Sequence, residues 1–227
     1  MENLILALDC SLRRTNAAVF SGLGEGGEVI ASESLDIGRR QAAELPLAVE
    51  RVLAAADRRL EEVGLVAVTN GPGYFTGLRV GASYAMALAY GLGVGVVPVP
   101  TLRMLACPYT EAGEAVLVLV YAGRGRVYAA SFGCGERGKS LNLPAGEYAL
   151  AALESWLSSR AGQETALVSD DPQKAAQALG SPQILGLPVM PSPPNAGAAA
   201  RIARRERETA VEPMALRISY LREPQIG

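Results

Sequence analysis

The sequence predicts an α/β fold, and three observations carry that prediction. Short branched apolar runs alternate with longer stretches of helical spacing over the first hundred residues. One such run, Leu65-Val66-Ala67-Val68, leads into the glycine turn Asn70-Gly71-Pro72-Gly73 and then into a proline-free helix from Phe75 to about Tyr90. Of the 227 residues, 49% are hydrophobic and only 19% charged, which is the balance of a globular chain with an ample core.

The N-terminal elements follow the same logic. Leu4 to Leu8 reads as a buried strand ending in Asp9-Cys10-Ser11, and Asn16 to Phe20 as a second strand across a turn at Arg13-Arg14-Thr15. After a glycine-rich turn at Gly22 to Gly27, Glu28 to Asp36 alternates as a third strand. A three-strand meander with an Asp in its first turn is similar to the entry into actin-like and ribonuclease-H-like folds. There Asp9 and Ser11 would stand beside a metal or a phosphate; an Asx-type turn is the simpler reading and is preferred while no partner carboxylate is found.

Gln41 to Leu60 has helical spacing, with Leu45, Val49, Val52 and Leu53 on one face and arginines and glutamates on the others. Gly64 reads as its stop. The helix after the glycine turn repeats small residues every four positions, Gly77, Gly81, Ala85 and Ala89, so one side has an almost bare backbone. Gly77 and Gly81 each cost about 1 kcal/mol of helix stability relative to alanine, so close approach of another helix or the sheet is expected to offset it. Leu78, Ala82, Met86 and Val80, Tyr84, Leu88 cover the other faces, so the helix is expected to be buried on both sides. A phosphate site at its N-terminus is the competing reading, but neither a Walker pattern nor a dinucleotide fingerprint is present.

Val94 to Val99 is a strand whose Pro98 points to a sheet edge, and Thr101 caps a short helix to Leu105. Further on, Val116–Tyr121 and Arg126–Phe132 form a hairpin, Tyr148–Ser159 a helix and Ala166–Val168 a strand. A short helix runs from Pro172 to Leu179, a proline-rich connection from Pro182 to Pro194, and an arginine-rich helix from Ala196 to Arg207. Two units are expected, residues 1–103 and 104–227.

Composition closes several chemistries. There is no histidine, which removes Ser-His-Asp and Cys-His nucleophile pairs and histidine-based metal sites. Cys10, Cys107 and Cys134 are odd in number and widely spaced, as in reduced cysteines of a cytoplasmic protein. The net charge of −2 argues against free-standing RNA binding. No membrane segment and no targeting signal is expected.

The residues also resemble a family. Ile5 to Ser11, Gly71-Pro72-Gly73-Tyr74-Phe75-Thr76-Gly77-Leu78-Arg79-Val80-Gly81 and Val97 to Leu102 are similar to the bacterial TsaB family of tRNA threonylcarbamoyladenosine biosynthesis proteins. The long central motif differs only at Tyr74, where serine is usual. Glu212 to Arg217 resembles the family's closing motif, with Ala215 in place of tyrosine. Tyr121 to Tyr128 lacks the Asp and Glu of the corresponding family segment, and Arg40-Gln41 stands where His-Ser/Thr is usual.

The resemblance implies an actin-like (ASKHA) fold with two subdomains, no catalytic residue and no cofactor or metal. It implies a cytoplasmic scaffold that activates a TsaD-type catalytic subunit, is joined by a TsaE-type ATPase and meets tRNA only through the complex. The first two helices would form the partner interface, or a homodimer contact, through Leu45, Val49, Val52, Phe75, Thr76, Leu78, Arg79, Gly81, Ala82 and Ala85. Two readings compete: an enzyme of the same fold acting alone, phosphotransferase or glycoprotease-like hydrolase, and a direct RNA-binding module.

Overall fold

The computed structural model describes residues 4–23, 26–133, 142–158, 166–178, 183–184 and 187–221. Cys134, and the ends expected at Ser159, Leu179 and Pro182, lie outside the described residues. The chain divides into two units, Met1–Met104 with Pro194–Ser219, and Leu105–Pro193 with Tyr220–Gly227.

The first unit is built on a five-stranded sheet in the order β3-β2-β1-β4-β5. Its strands are β1 (Leu4–Asp9), β2 (Thr15–Phe20), β3 (Val29–Leu35), β4 (Val63–Gly71) and β5 (Gly95–Pro100). β1, β2 and β3 pair antiparallel as the predicted meander, while β4 and β5 join β1 in parallel. Every residue of β1 and β2 is buried, because helices cover both faces of the sheet. On one face α1 (Gln41–Ala55) and α2 (Phe75–Leu92) pack Leu45, Val49, Val52, Ala82, Ala85 and Ala89 onto Leu4, Leu6, Leu8, Val66 and Val68. Against β1 and β2 also lies α6 (Ala196–Arg205), whose Ala198, Ala199, Ala200, Ile202 and Ala203 are buried. Asn195 caps α6 by accepting from the Gly197 N–H at 2.8 Å.

That packing moves the expected subdomain boundary. Reading 104–227 as one unit followed chain order, but α6 and the segment after it belong with the first sheet. Leu216 is buried in the first core, and Val211 exchanges two backbone hydrogen bonds with Val96, at 2.8 and 3.0 Å, along the outer edge of β5. Pro98 therefore sits on an edge strand whose outer side is partly covered.

Some element ends also differ from the sequence reading. α1 stops at Ala55, not Leu60, because Asp57 adopts φ 51 and takes the left-handed position usual for glycine. The Arg58 N–H then bonds the Leu53 carbonyl at 3.0 Å, and the Asp57 N–H the Ala54 carbonyl at 3.1 Å. Gly64 is consequently inside β4 rather than at a helix end. α3 runs from Thr101 to Glu111, well past Leu105.

The second unit carries a six-stranded sheet in the order β10-β11-β9-β6-β7-β8. β6 (Val116–Gly123) and β7 (Arg126–Phe132) form the predicted hairpin, and β8 (Gly146–Ala149) extends it. Tyr148 is thus in a strand, and α4 begins at Leu150 (Leu150–Ser158). β9 (Ala166–Ser169) pairs in parallel with β6 and leads to α5 (Pro172–Ala178). The proline-rich stretch is not a plain connection: β10 (Gln183–Ile184) and β11 (Leu187–Pro191) lie in it, with Val189 and Met190 registered on Leu167 and Val168.

Asp170, just after β9, is half-buried and beside Asp171. Burial first, and the Asp171 charge second, push its carboxyl up to about 6 from an ordinary 3.8. A raised carboxyl favours the folded state when protonated, so this contribution is full below pH 3.8 and is lost as pH rises through 6. Asp170→Asn is expected to stabilise the protein at pH 8 by up to about 3 kcal/mol and to leave it nearly unchanged at pH 4. Urea denaturation of both forms at the two pH values checks it.

Candidate functional site

Two features of the first unit bear on function: the polar knot at the end of β1 and the outer surface of α1 and α2. The knot centres on Asp9, which is fully buried. Its Oδ1 accepts from the Ser11 N–H at 3.0 Å, the Ser11 Oγ at 2.6 Å and the Thr69 Oγ1 at 2.6 Å, and its Oδ2 accepts from Asn16 Nδ2 at 2.9 Å. The bond to the Ser11 N–H is an Asx turn. Asn16 in turn accepts from the Ser34 hydroxyl, and Arg14 Nε donates to that hydroxyl at 2.7 Å. Four donors, from β2, β4 and the turn after β1, meet this carboxylate, which ties β1, β2 and β4 together.

The glycine turn closes down on the same place. Gly71 has φ 120, which a side chain resists, whereas Gly73 has no positive φ and its need is space. A Cβ on Gly73 or Gly77 would stand inside 3.0 Å of the Ser11 or Cys10 carbonyl oxygen, respectively. The Tyr74 N–H donates to the Ser11 carbonyl at 2.7 Å. An amide that an anion would take at the start of α2 is therefore bonded to the chain's own backbone. Beneath it the buried Cys10 thiol is pushed up to about 12, by burial and then by the Asp9 charge, so it is no thiolate at neutral pH.

Tyr74 is the N-cap residue of α2 and has cap geometry, but its side chain makes no cap hydrogen bond. Tyr74→Ser supplies that acceptor and is expected to stabilise the protein by about 1 kcal/mol, read as a raised melting temperature.

The outer surface of α1 and α2 has an unusual composition. Along α1 the exposed residues Ala43, Leu47, Glu50 and Ala54 recur at helical spacing; along α2 so do Thr76, Arg79, Ser83, Ala87 and Tyr90. Leu47 is 45% exposed, Phe75 43%, Tyr74 49% and Tyr90 73%. The Arg79 guanidinium lies 3.8 Å over the Phe75 ring. The two helices meet near Glu50, whose charge, after burial, raises the Tyr84 phenol. Apart from Glu50 and Arg79, the two adjoining stripes thus present small and apolar side chains where a solvated face usually carries more charge. Among the described residues, no cluster of histidine, cysteine and carboxylate side chains could hold a metal ion, and no helix is long and apolar enough to cross a membrane.

A family model, TsaD: tRNA N6-adenosine threonylcarbamoyltransferase, matches residues 36–186, more than half of the chain. The chain is a TsaB/YeaZ-like member of that family. The tRNA threonylcarbamoyladenosine biosynthesis protein TsaB of Buchnera aphidicola from Acyrthosiphon pisum is 27% identical over 158 residues, 68% of this chain and 66% of that protein. TsaB of Haemophilus influenzae is 33% identical over 131 residues, 56% of this chain and 53% of that protein. The chain thus spans between about half and two thirds of the length of these relatives. The crystal structure of a Pseudomonas aeruginosa protein with similarity to peptidase YEAZ superposes with a TM-score of 0.76 at 23% identity, covering 97% of this chain and all of that one. The fold is accordingly the expected actin-like, ribonuclease-H-like one.

Within the TsaB/YeaZ-like frame, the interface residues expected from the resemblance divide sharply. Phe75, Thr76 and Arg79 are exposed. Leu45, Val49, Val52, Leu78, Gly81, Ala82 and Ala85 are not: all are buried in this chain's own first unit. The small stripe of α2 faces β1 and β4, where a Cβ on Gly81 would meet Cys10 and Val68. Of the two neighbours expected for that stripe, a helix or the sheet, it is the chain's own sheet that approaches; the partner contacts expected at Gly81, Ala82 and Ala85 therefore face inward. The surface that sequence reading missed is the alanine-rich one, because alanine is also the ordinary helix former and gives no separate signal. Asp9 and Ser11 are bonded to each other inside a closed knot.

Proposed function

We propose that this chain is a non-catalytic scaffold and activator in the formation of N6-threonylcarbamoyladenosine in tRNAs that read codons beginning with A. It docks on a TsaD-type catalytic subunit through the exposed stripes of α1 and α2. A TsaE-type ATPase joins the complex, and tRNA is held through the complex in the cytoplasm. The observation that carries the reading is the pair of adjoining small-residue helical faces, which suit close helix contact with another chain. The same faces would serve a homodimer when the catalytic subunit is absent.

The names of the relatives and of the matching family support the pathway. Two features support a non-catalytic role: the sequence has no histidine, and the Asp9 carboxylate is occupied by four donors of the chain itself. An enzyme acting alone would need that carboxylate open to substrate. Reconstitution tests the reading. The purified chain with tRNA, threonylcarbamoyl-adenylate and Mg-ATP is expected to form no modified nucleoside, and to stimulate formation when added to a TsaD-type and a TsaE-type subunit. Turnover by the chain alone would overturn it.

A further inference from the structure

We draw no further inference here: the strongest candidate, the exposed Tyr74–Phe75 patch at the start of α2, borders the helical surface already assigned to the partner, and nothing in the structure shows what covers it.

Discussion

Gly77→Ala is expected to destabilise the protein severely, while Gly81→Ala, one turn further along the same stripe, is expected to stabilise it. The two glycines look equivalent in the helical repeat but meet different atoms. A Cβ on Gly77 lands inside 3.0 Å of the Cys10 carbonyl oxygen, with Gln41 Oε1 also at 3.0 Å. The carbonyl is backbone, held between the Asp9 knot and the bond from Tyr74 to Ser11, so it has nowhere to go. Relief requires α2 to lift off the sheet, losing contacts made by Leu78, Ala82, Ala85 and Ala89. Overpacking of this kind costs about 3 kcal/mol or more, a large share of a domain's stability. At Gly81 the nearest atoms to a Cβ are Cys10 Cβ at 3.4 Å and Cys10 Sγ and Val68 Cγ2 at 3.7 Å, ordinary contact distances. Alanine fits there and gains about 1 kcal/mol of helix propensity. Thermal melts of the two variants against wild type check the pair: Gly77→Ala absent from the soluble fraction or strongly lowered, Gly81→Ala raised by a few degrees. Two small effects of the same sign would mean that α2 does not sit on β1 as described.

Local pattern made much of the fold legible. The β1–β2–β3 meander, β4, the glycine turn and α2 all stand within a few residues of their expected places, because each carries its signal in its own sequence. Failures occurred where an unannounced local conformation or a distant residue decides the outcome. Asp57 ends α1 by taking a conformation more usual for glycine, which no spacing rule announces. Thr69 is sixty positions from Asp9, yet its hydroxyl helps close the knot. Residues Pro194–Ser219 return to the first sheet although chain order puts them with the second. The candidate site shows the same limit. A four-residue repeat tells which side chains share one side of α2, but not whether that side meets the sheet or the solvent. The position of β1 decides it, and the apolar residues of α1 and the small stripe of α2 both turn inward. Only Phe75, Thr76 and Arg79 of the expected contact set remain outside.

Ser83→Arg and Ala87→Arg place long cations on the outer stripe of α2, where both native residues are exposed. Arginine is a good helix former, so neither change should alter the melting temperature by more than about 1 °C. Against a closely packed partner helix the same side chains clash or bury an uncompensated charge, a loss of about 3 kcal/mol or roughly a hundredfold in affinity. Ala85→Arg is the contrasting change. It faces the sheet and should unfold the protein whatever its partners. The most direct test is therefore the dissociation constant of the Ser83→Arg and Ala87→Arg proteins for a TsaD-type catalytic subunit, measured by titration calorimetry beside wild type. Both proteins are expected to stay folded while their affinity falls about a hundredfold. Wild-type affinity in both would contradict the proposed docking.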